Sequence, residues 1–221
     1  EEPTVSPLPR RVEQLVLLGA HCDDIAIGAG GTVLEICRAH PGLSVTALVL
    51  TGGGTVREEE ELAALEALCP GADLDVTVLD LPDGRLPEHW GAAKSAVEAL
   101  RKRTEPDLVL CPAVHDAHQD HRTLAELVPT AFRAHLALGY EILKWDGDLA
   151  QPDAFVPIPA TVLREKIDVL HACYESQTTK PWFDAETFTG LARVRGVQCH
   201  SRYAEGFHVQ KAVLSVSGPE E

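Results

Sequence analysis

Short apolar runs alternate with amphipathic stretches along the first half of the chain, separated by glycine, proline or acidic loops. Leu15-Val16-Leu17-Leu18 lies in a brief apolar run bounded by polar residues and Gly19. That is the pattern of a parallel strand covered on both faces, so a strand is predicted over residues 14–20. A helix is predicted to open at Gly28-Ala29-Gly30-Gly31 and run to about His40; Val33, Leu34, Ile36 and Cys37 fall near helical spacing and Pro41-Gly42 ends it. The order strand, loop, helix then recurs. Residues 45–51 read as a strand, Gly52-Gly53-Gly54 as a loop, and residues 57–69 as a helix with Leu62, Leu65 and Leu68 on one face. A strand over 75–81, a turn at Pro82-Asp83-Gly84, a helix from about 91 to 103 and a strand over 107–112 follow.

Strands alternating with helices imply right-handed crossovers and a mostly parallel sheet with helices on both sides. The expectation is an α/β, Rossmann-like three-layer sandwich forming one domain over residues 1–221. Beyond residue 135 the pattern thins to a helix over 162–174 and a strand over 207–216, with an irregular stretch between them. This part is expected to form a lid or wall of the same domain.

Composition narrows the choice of partner. The chain has 221 residues, 45% hydrophobic and 24% charged, ordinary proportions for a folded soluble protein. Its 34 acidic and 19 basic side chains give a formal net charge of −15, which opposes nucleic acid and anionic membrane surfaces. No stretch approaches the roughly 20 apolar residues that span a bilayer, and Glu1-Glu2-Pro3-Thr4 lacks the basic-then-apolar order of a leader, so a cytoplasmic protein is expected. Six scattered cysteines without a Cys-x-x-Cys pair fit reduced thiols, with Cys37, Cys69 and Cys111 as core residues.

Two polar clusters carry the candidate chemistry. Ala20-His21-Cys22-Asp23-Asp24 follows the first strand, and His115-Asp116-Ala117-His118-Gln119-Asp120-His121 follows the strand ending near Pro112. Both would emerge at the carboxyl edge of the sheet, where open α/β folds place their sites. His21 and Asp24 can turn toward one ion, and His121 can complete the three protein ligands typical of catalytic zinc. One of two adjacent carboxylates can bind the metal while the other takes a proton from water. His118 can stay outside the coordination shell and donate to a developing oxyanion, with Asp120 or Asp116 orienting it. The bland alternatives are a capping loop for the first cluster and, for the second, a polar helix start capped by Asp116.

Other chemistries find less support. Gly28-Ala29-Gly30-Gly31 is displaced from the tight turn of a dinucleotide site, and Asp23 and Asp24 occupy that turn, so these glycines are expected to permit close helix packing. Gly52-Gly53-Gly54 lacks the Lys-Ser/Thr ending of a P-loop. No Gly-x-Ser-x-Gly elbow is present, and the carboxylates beside Cys22 would raise its pKa and blunt it as a nucleophile.

These residues make the chain similar to the LmbE-like (PIG-L) family of metal-dependent N-deacetylases. Ala20-His21-Cys22-Asp23-Asp24-Ile25 matches the family's Ala-His-Pro-Asp-Asp-Glu, and His118-Gln119-Asp120-His121 its His-x-Asp-His. Further matches are Thr51-Gly52-Gly53 with Arg57 and Glu60, the stretch from Leu79 to Gly84, Ser176-Gln177 after a Lys166-containing helix, and Tyr203-Ala204-Glu205-Gly206-Phe207. The resemblance implies His21, Asp24 and His121 as metal ligands and Asp23 as general base. It further implies His118 as stabiliser of the tetrahedral intermediate, Asp120 as tuning His118, and Arg57 as holding or polarising substrate. The implied cofactor is Zn2+, with Fe2+ or another divalent transition metal as the alternative. The implied substrate is an N-acetylglucosamine-type sugar or glycoside. Two competing readings are an amidase cleaving a larger acyl or thiol conjugate and a non-catalytic nucleotide- or sugar-binding domain. Cys22 and Ile25 depart from the family's Pro and Glu. Monomer and homo-oligomer both stay open; Trp182 and Phe183 can line a subunit contact or the pocket rim, although Phe and Trp on a loop more often serve simple packing.

Overall fold

The computed structural model describes residues 12–213. The first apolar run forms β1 (Gln14–Gly19), buried along nearly its whole length. It is followed by α1 (Asp24–Ala39), β2 (Ser44–Thr51), α2 (Val56–Leu68), β3 (Asp73–Leu81), a 3-10 turn at Leu86–His89, α3 (Trp90–Lys102) and β4 (Leu108–Pro112). Then come α4 (Gln119–Ala131), β5 (Leu136–Tyr140), β6 (Ala154–Pro157), α5 (Ala160–Cys173), α6 (Ala185–Gln198) and β7 (Ala204–Lys211). The seven strands form one sheet in the order β3-β2-β1-β4-β5-β7-β6. The first five are mutually parallel, and β7 runs antiparallel to both β5 and β6.

Successive residues of β1 feed opposite layers, as strand geometry requires. Leu15 and Leu17 join the core under α1, α2 and α5, while Val16 and Leu18 join the core under α3 and α4. Between β1 and β4 the strand order reverses, and a crevice opens there at the carboxyl ends. Both polar clusters emerge at this point.

The mostly parallel α/β sheet is as expected. Helix α1 starts at Asp24, four residues before the predicted opening at Gly28. The glycines lie inside the helix and do permit close packing: a Cβ on Gly28 would run into the Tyr140 ring. Tyr140 lies across β1 and donates to Leu18 O at 2.6 Å. The last strand is Ala204–Lys211, earlier than the 207–216 expected; residues 214–216 of that expectation, like residues 1–11 and the rest of the tail, lie outside the described residues. Helix α6 and strands β5 and β6 are additions to the elements predicted from sequence, and α4 is the helix that the second cluster offered as its alternative reading.

A buried polar tie joins the far part of the chain to the first helix. Lys166 Nζ on α5 lies 2.7 Å from Glu205 Oε1 on β7 and donates to Ile27 O at 2.6 Å. Glu205 also accepts from Gly31 N at 2.9 Å and Thr32 N at 2.7 Å, so no charge in this group lacks a partner. Two of the family-like motifs, at Lys166 and Tyr203–Phe207, therefore meet behind α1.

Candidate active site

The chain turns sharply as it leaves β1. Asp23 adopts a left-handed conformation (φ 115°), uncommon outside glycine, and immediately precedes α1. Asp24 folds its carboxylate back over the turn, where Oδ2 accepts from the backbone N–H of Ala20 at 3.0 Å and His21 at 2.8 Å. Its Oδ1 is left 3.2 Å from His121 Nε2, which reaches across from the first turn of α4. His21 Nδ1 stands 3.0 Å from the same His121 nitrogen and 3.6 Å from Asp24 Oδ2. Two imidazole nitrogens and one carboxylate thus converge from residues about 100 positions apart in the chain.

Carboxylates behind the two histidines fix which nitrogen faces inward. Asp120 Oδ2 lies 3.1 Å from His21 Nε2 and is itself held by Gly84 N at 2.7 Å, with its other oxygen held by Leu86 N at 2.9 Å. A proton on His21 Nε2 leaves the Nδ1 lone pair free to bind a cation. Asp116 Oδ2 sits 3.0 Å from His121 Nδ1, close enough for charge pairing though not aligned as a hydrogen bond. Asp116 Oδ1 is anchored by Lys144 Nζ at 2.9 Å and accepts from His118 N at 2.8 Å. Asp83, on the exposed turn, also approaches His21 Nε2 at 3.1 Å.

Electrostatics favour positive charge at this point. Burial works against protonating His21 and His121, yet the surrounding carboxylates outweigh it and raise both, His121 to about 9. Burial alone would raise Asp24, but the adjacent His121 and His21 hold it well below the usual carboxylate range. A buried anion, two correctly presented imidazoles and supporting carboxylates form a donor set that fits a divalent metal.

His118 is differently employed. Its Nδ1 accepts from Asp120 N at 3.2 Å, capping α4, so a neutral ring carries its proton on Nε2 and presents a donor. Burial, reinforced by His121 and His21 nearby, lowers its pKa and keeps it neutral. Its ring centroid lies 4.7 Å from those of both His21 and His121, and its ring nitrogens could also join a three-histidine cluster. The capping role that the sequence offers to Asp116 falls to His118. The Asp120 carboxylate rests on His21; what Asp120 offers His118 is its backbone N–H.

Asp23 is buried beside this group. Burial raises its pKa to about 6, against the pull of Arg57. Arg57 Nη2 lies 3.0 Å from Asp23 Oδ2 and also donates to Cys22 O. Its Nη1 donates to Glu60 Oε2 at 2.6 Å and Ser176 Oγ at 3.0 Å, so Arg57 spends its donors on protein groups around Asp23. Burial pushes the Cys22 thiol far up, and its Sγ donates to Thr51 O at 3.4 Å, which leaves it inert as a nucleophile. Ile25 is fully buried among apolar residues.

These groups floor a cavity of about 410 Å³. Its walls include Thr51 and Gly52 at the end of β2, Ile142, Lys144 and Trp145 after β5, and Gln177, Lys180 and Trp182 after α5. Trp182 lines this cavity, as the pocket-rim reading had it, while Phe183 is buried in the core, as the simple-packing reading had it. Asp116 and Lys144 join the site beyond the residues that the family resemblance implies. Asp116 has a signal in its place within the second cluster; Lys144 has no local signal.

The family described as GlcNAc-PI de-N-acetylase (PIG-L) matches residues 16–132, a span that includes both clusters. This chain belongs to the PIG-L family. A diacetylchitobiose deacetylase of Thermococcus kodakarensis is 32% identical over 128 residues, covering 50% of this chain and 46% of that protein. The chain thus spans about half the length of the curated relative it matches. Among solved structures, the conserved protein TT1542 from Thermus thermophilus superposes with a TM-score of 0.71 at 27% identity, covering 93% of this chain and 97% of its own. GalB, the 4-carboxy-2-hydroxymuconate hydratase of Pseudomonas putida KT2440, gives 0.69 at 19% identity over 93% and 99% of the two chains. At that distance likeness to a hydratase fixes the fold and leaves the reaction to the site. Among the described residues, no helix of this PIG-L protein is long and apolar enough to cross a membrane.

Proposed function

We propose that this protein is a zinc-dependent hydrolase that removes the N-acetyl group from an N-acetylglucosamine-type sugar or glycoside. It would act as a cytoplasmic, single-domain enzyme. The supporting observation is the convergence of His21 Nδ1, His121 Nε2 and Asp24 on the cavity floor, with Asp23 buried alongside and His118 presenting a donor. His21, Asp24 and His121 would hold the ion, and Fe2+ or a similar divalent metal would suit the same donors. Bound there, the metal supplies Lewis acidity toward the acetamide carbonyl and toward water. Asp23, buried beside the donors and restrained by Arg57, accepts the proton of the attacking water and returns it to the leaving amine. Nε2–H of His118 donates to the oxygen on which negative charge develops. Asp120 serves by orienting His21, and Arg57 by restraining Asp23 within reach of substrate.

Acetate release is the direct test, measured on N-acetylglucosamine, N,N'-diacetylchitobiose and nucleotide-linked N-acetyl sugars, before and after chelation. Chelator-sensitive release supports the proposal. Cleavage of a larger acyl or thiol conjugate without acetate would favour the amidase reading. Absence of any bound metal would favour the non-catalytic one.

A further inference from the structure

Glu61 does a job separate from that of its neighbour Glu60. Glu60 faces Arg57 and Ser176, whereas Glu61 points inward from α2, is 0% exposed, and reaches the turn after β1. Its Oε2 accepts from the backbone N–H of Asp23 at 2.9 Å and from the Tyr174 hydroxyl at 2.6 Å, while Oε1 has no partner. Burying a carboxyl group is costly unless it is well satisfied, and α2 could carry an apolar residue here at less cost. The N–H it receives belongs to the residue at φ 115°, a strained backbone conformation for a residue other than glycine that persists only where its surroundings enforce it.

We propose that Glu61 is the positioning residue for Asp23: its buried carboxyl holds the Asp23 main chain in the left-handed conformation that keeps the Asp23 side chain on the cavity floor. The assignment rests on the reading of Asp23 as proton acceptor. Arg57 restrains the Asp23 carboxylate from the cavity side, and Glu61 grips its N–H from the core side. Tyr174, fully buried at the end of α5, steadies the Glu61 carboxyl. Helix α2 thereby braces the proton-transfer residue although Glu61 does not touch substrate.

The experiment compares Glu61→Leu, Glu61→Gln and the double variant Glu61→Leu/Tyr174→Phe by amide hydrogen exchange at Asp23 and by steady-state acetate release. Exchange at Asp23 should accelerate about tenfold or more in Glu61→Leu while the β1 amides keep their protection. Turnover should fall about tenfold or more with KM and bound metal unchanged. Glu61→Gln retains an acceptor oxygen and should rescue both readouts. Should Glu61→Leu fail to fold with the Tyr174 hydroxyl stranded, the double variant removes both partners and carries the same expectation. Unchanged Asp23 exchange in the folded Leu or double variant overturns the proposal, as does failure of Glu61→Gln to rescue. Wild-type protein without acetate release would sink the functional reading instead, and the exchange data would still decide the role of Glu61.

Discussion

At the cavity floor Asp24 and His121 are each 2% exposed and held by neighbours in hydrogen-bonding or ion-pairing range, whereas at the rim Trp145 is 70% exposed and Lys180 stands in solvent. The floor comes from two loops next to adjacent central strands, so its geometry is fixed by the most buried part of the sheet. The rim comes from residues 142–145 after β5 and 177–182 after α5, segments set by packing around the antiparallel end of the sheet. A rigid floor suits bond cleavage, which needs groups preorganised in a water-poor site. An exposed aromatic rim suits discrimination among substrates, since flat apolar surface with polar edges matches a pyranose ring.

This contrast makes floor variants and rim variants fail differently. The largest effect is expected for His121→Ala, which should lose bound metal and reduce turnover to background, read by elemental analysis beside acetate release. Asp23→Asn should keep the metal and lose roughly 10²–10⁴-fold in turnover, the usual contribution of a positioned acid-base group. Retention of full rate in that variant would detach Asp23 from the chemistry. Next, Lys166→Met tests the tie between the floor's helix and the distal strand. It leaves Glu205 buried without its cation and should cost about 3 kcal/mol in urea unfolding. At the rim, Trp145→Ala should raise KM roughly fivefold with kcat nearly unchanged, since loss of a stacking surface is worth about a kcal/mol. A fall in kcat alone would erase the distinction between floor and rim.

The pH dependence sharpens the same point. Asp23 must be unprotonated to accept a proton, and burial raises its pKa to about 6 among the protein groups alone; a cation bound beside it would lower that value. If Asp23 is the proton acceptor proposed above, the active form is the deprotonated one, and kcat/KM should fall as pH drops through a limb at or below about pH 6. A limb above about pH 7 would assign it to another group.

What was legible in the sequence follows the same divide. Strands β1, β2 and β4 are continuous Leu- and Val-rich runs because both faces are covered, and such runs stand out. The metal-type donors stand out as well, because each loop gathers its residues within a few positions. Strand β6 has only four residues, and β7 reads Ala-Glu-Gly-Phe-His-Val-Gln-Lys, whose buried Glu205 and His208 hide a strand pattern. Helix α6 mixes Thr, Gly, Arg and Val on all sides, so it shows no apolar stripe. The predicted start of α1 falls late because glycines that look like a helix start serve close packing against Tyr140. Long-range partners have no local signature: Lys144 behind Asp116, and Tyr174 with Glu61 behind Asp23, meet only when the sheet is complete.

The most direct test of the central claim is to strip the protein of metal and follow acetate release from N,N'-diacetylchitobiose while Zn2+ is titrated back. If His21, Asp24 and His121 form one ion site, release is absent in the stripped protein and reaches its maximum at one ion per chain. Full release from the stripped protein would contradict that claim.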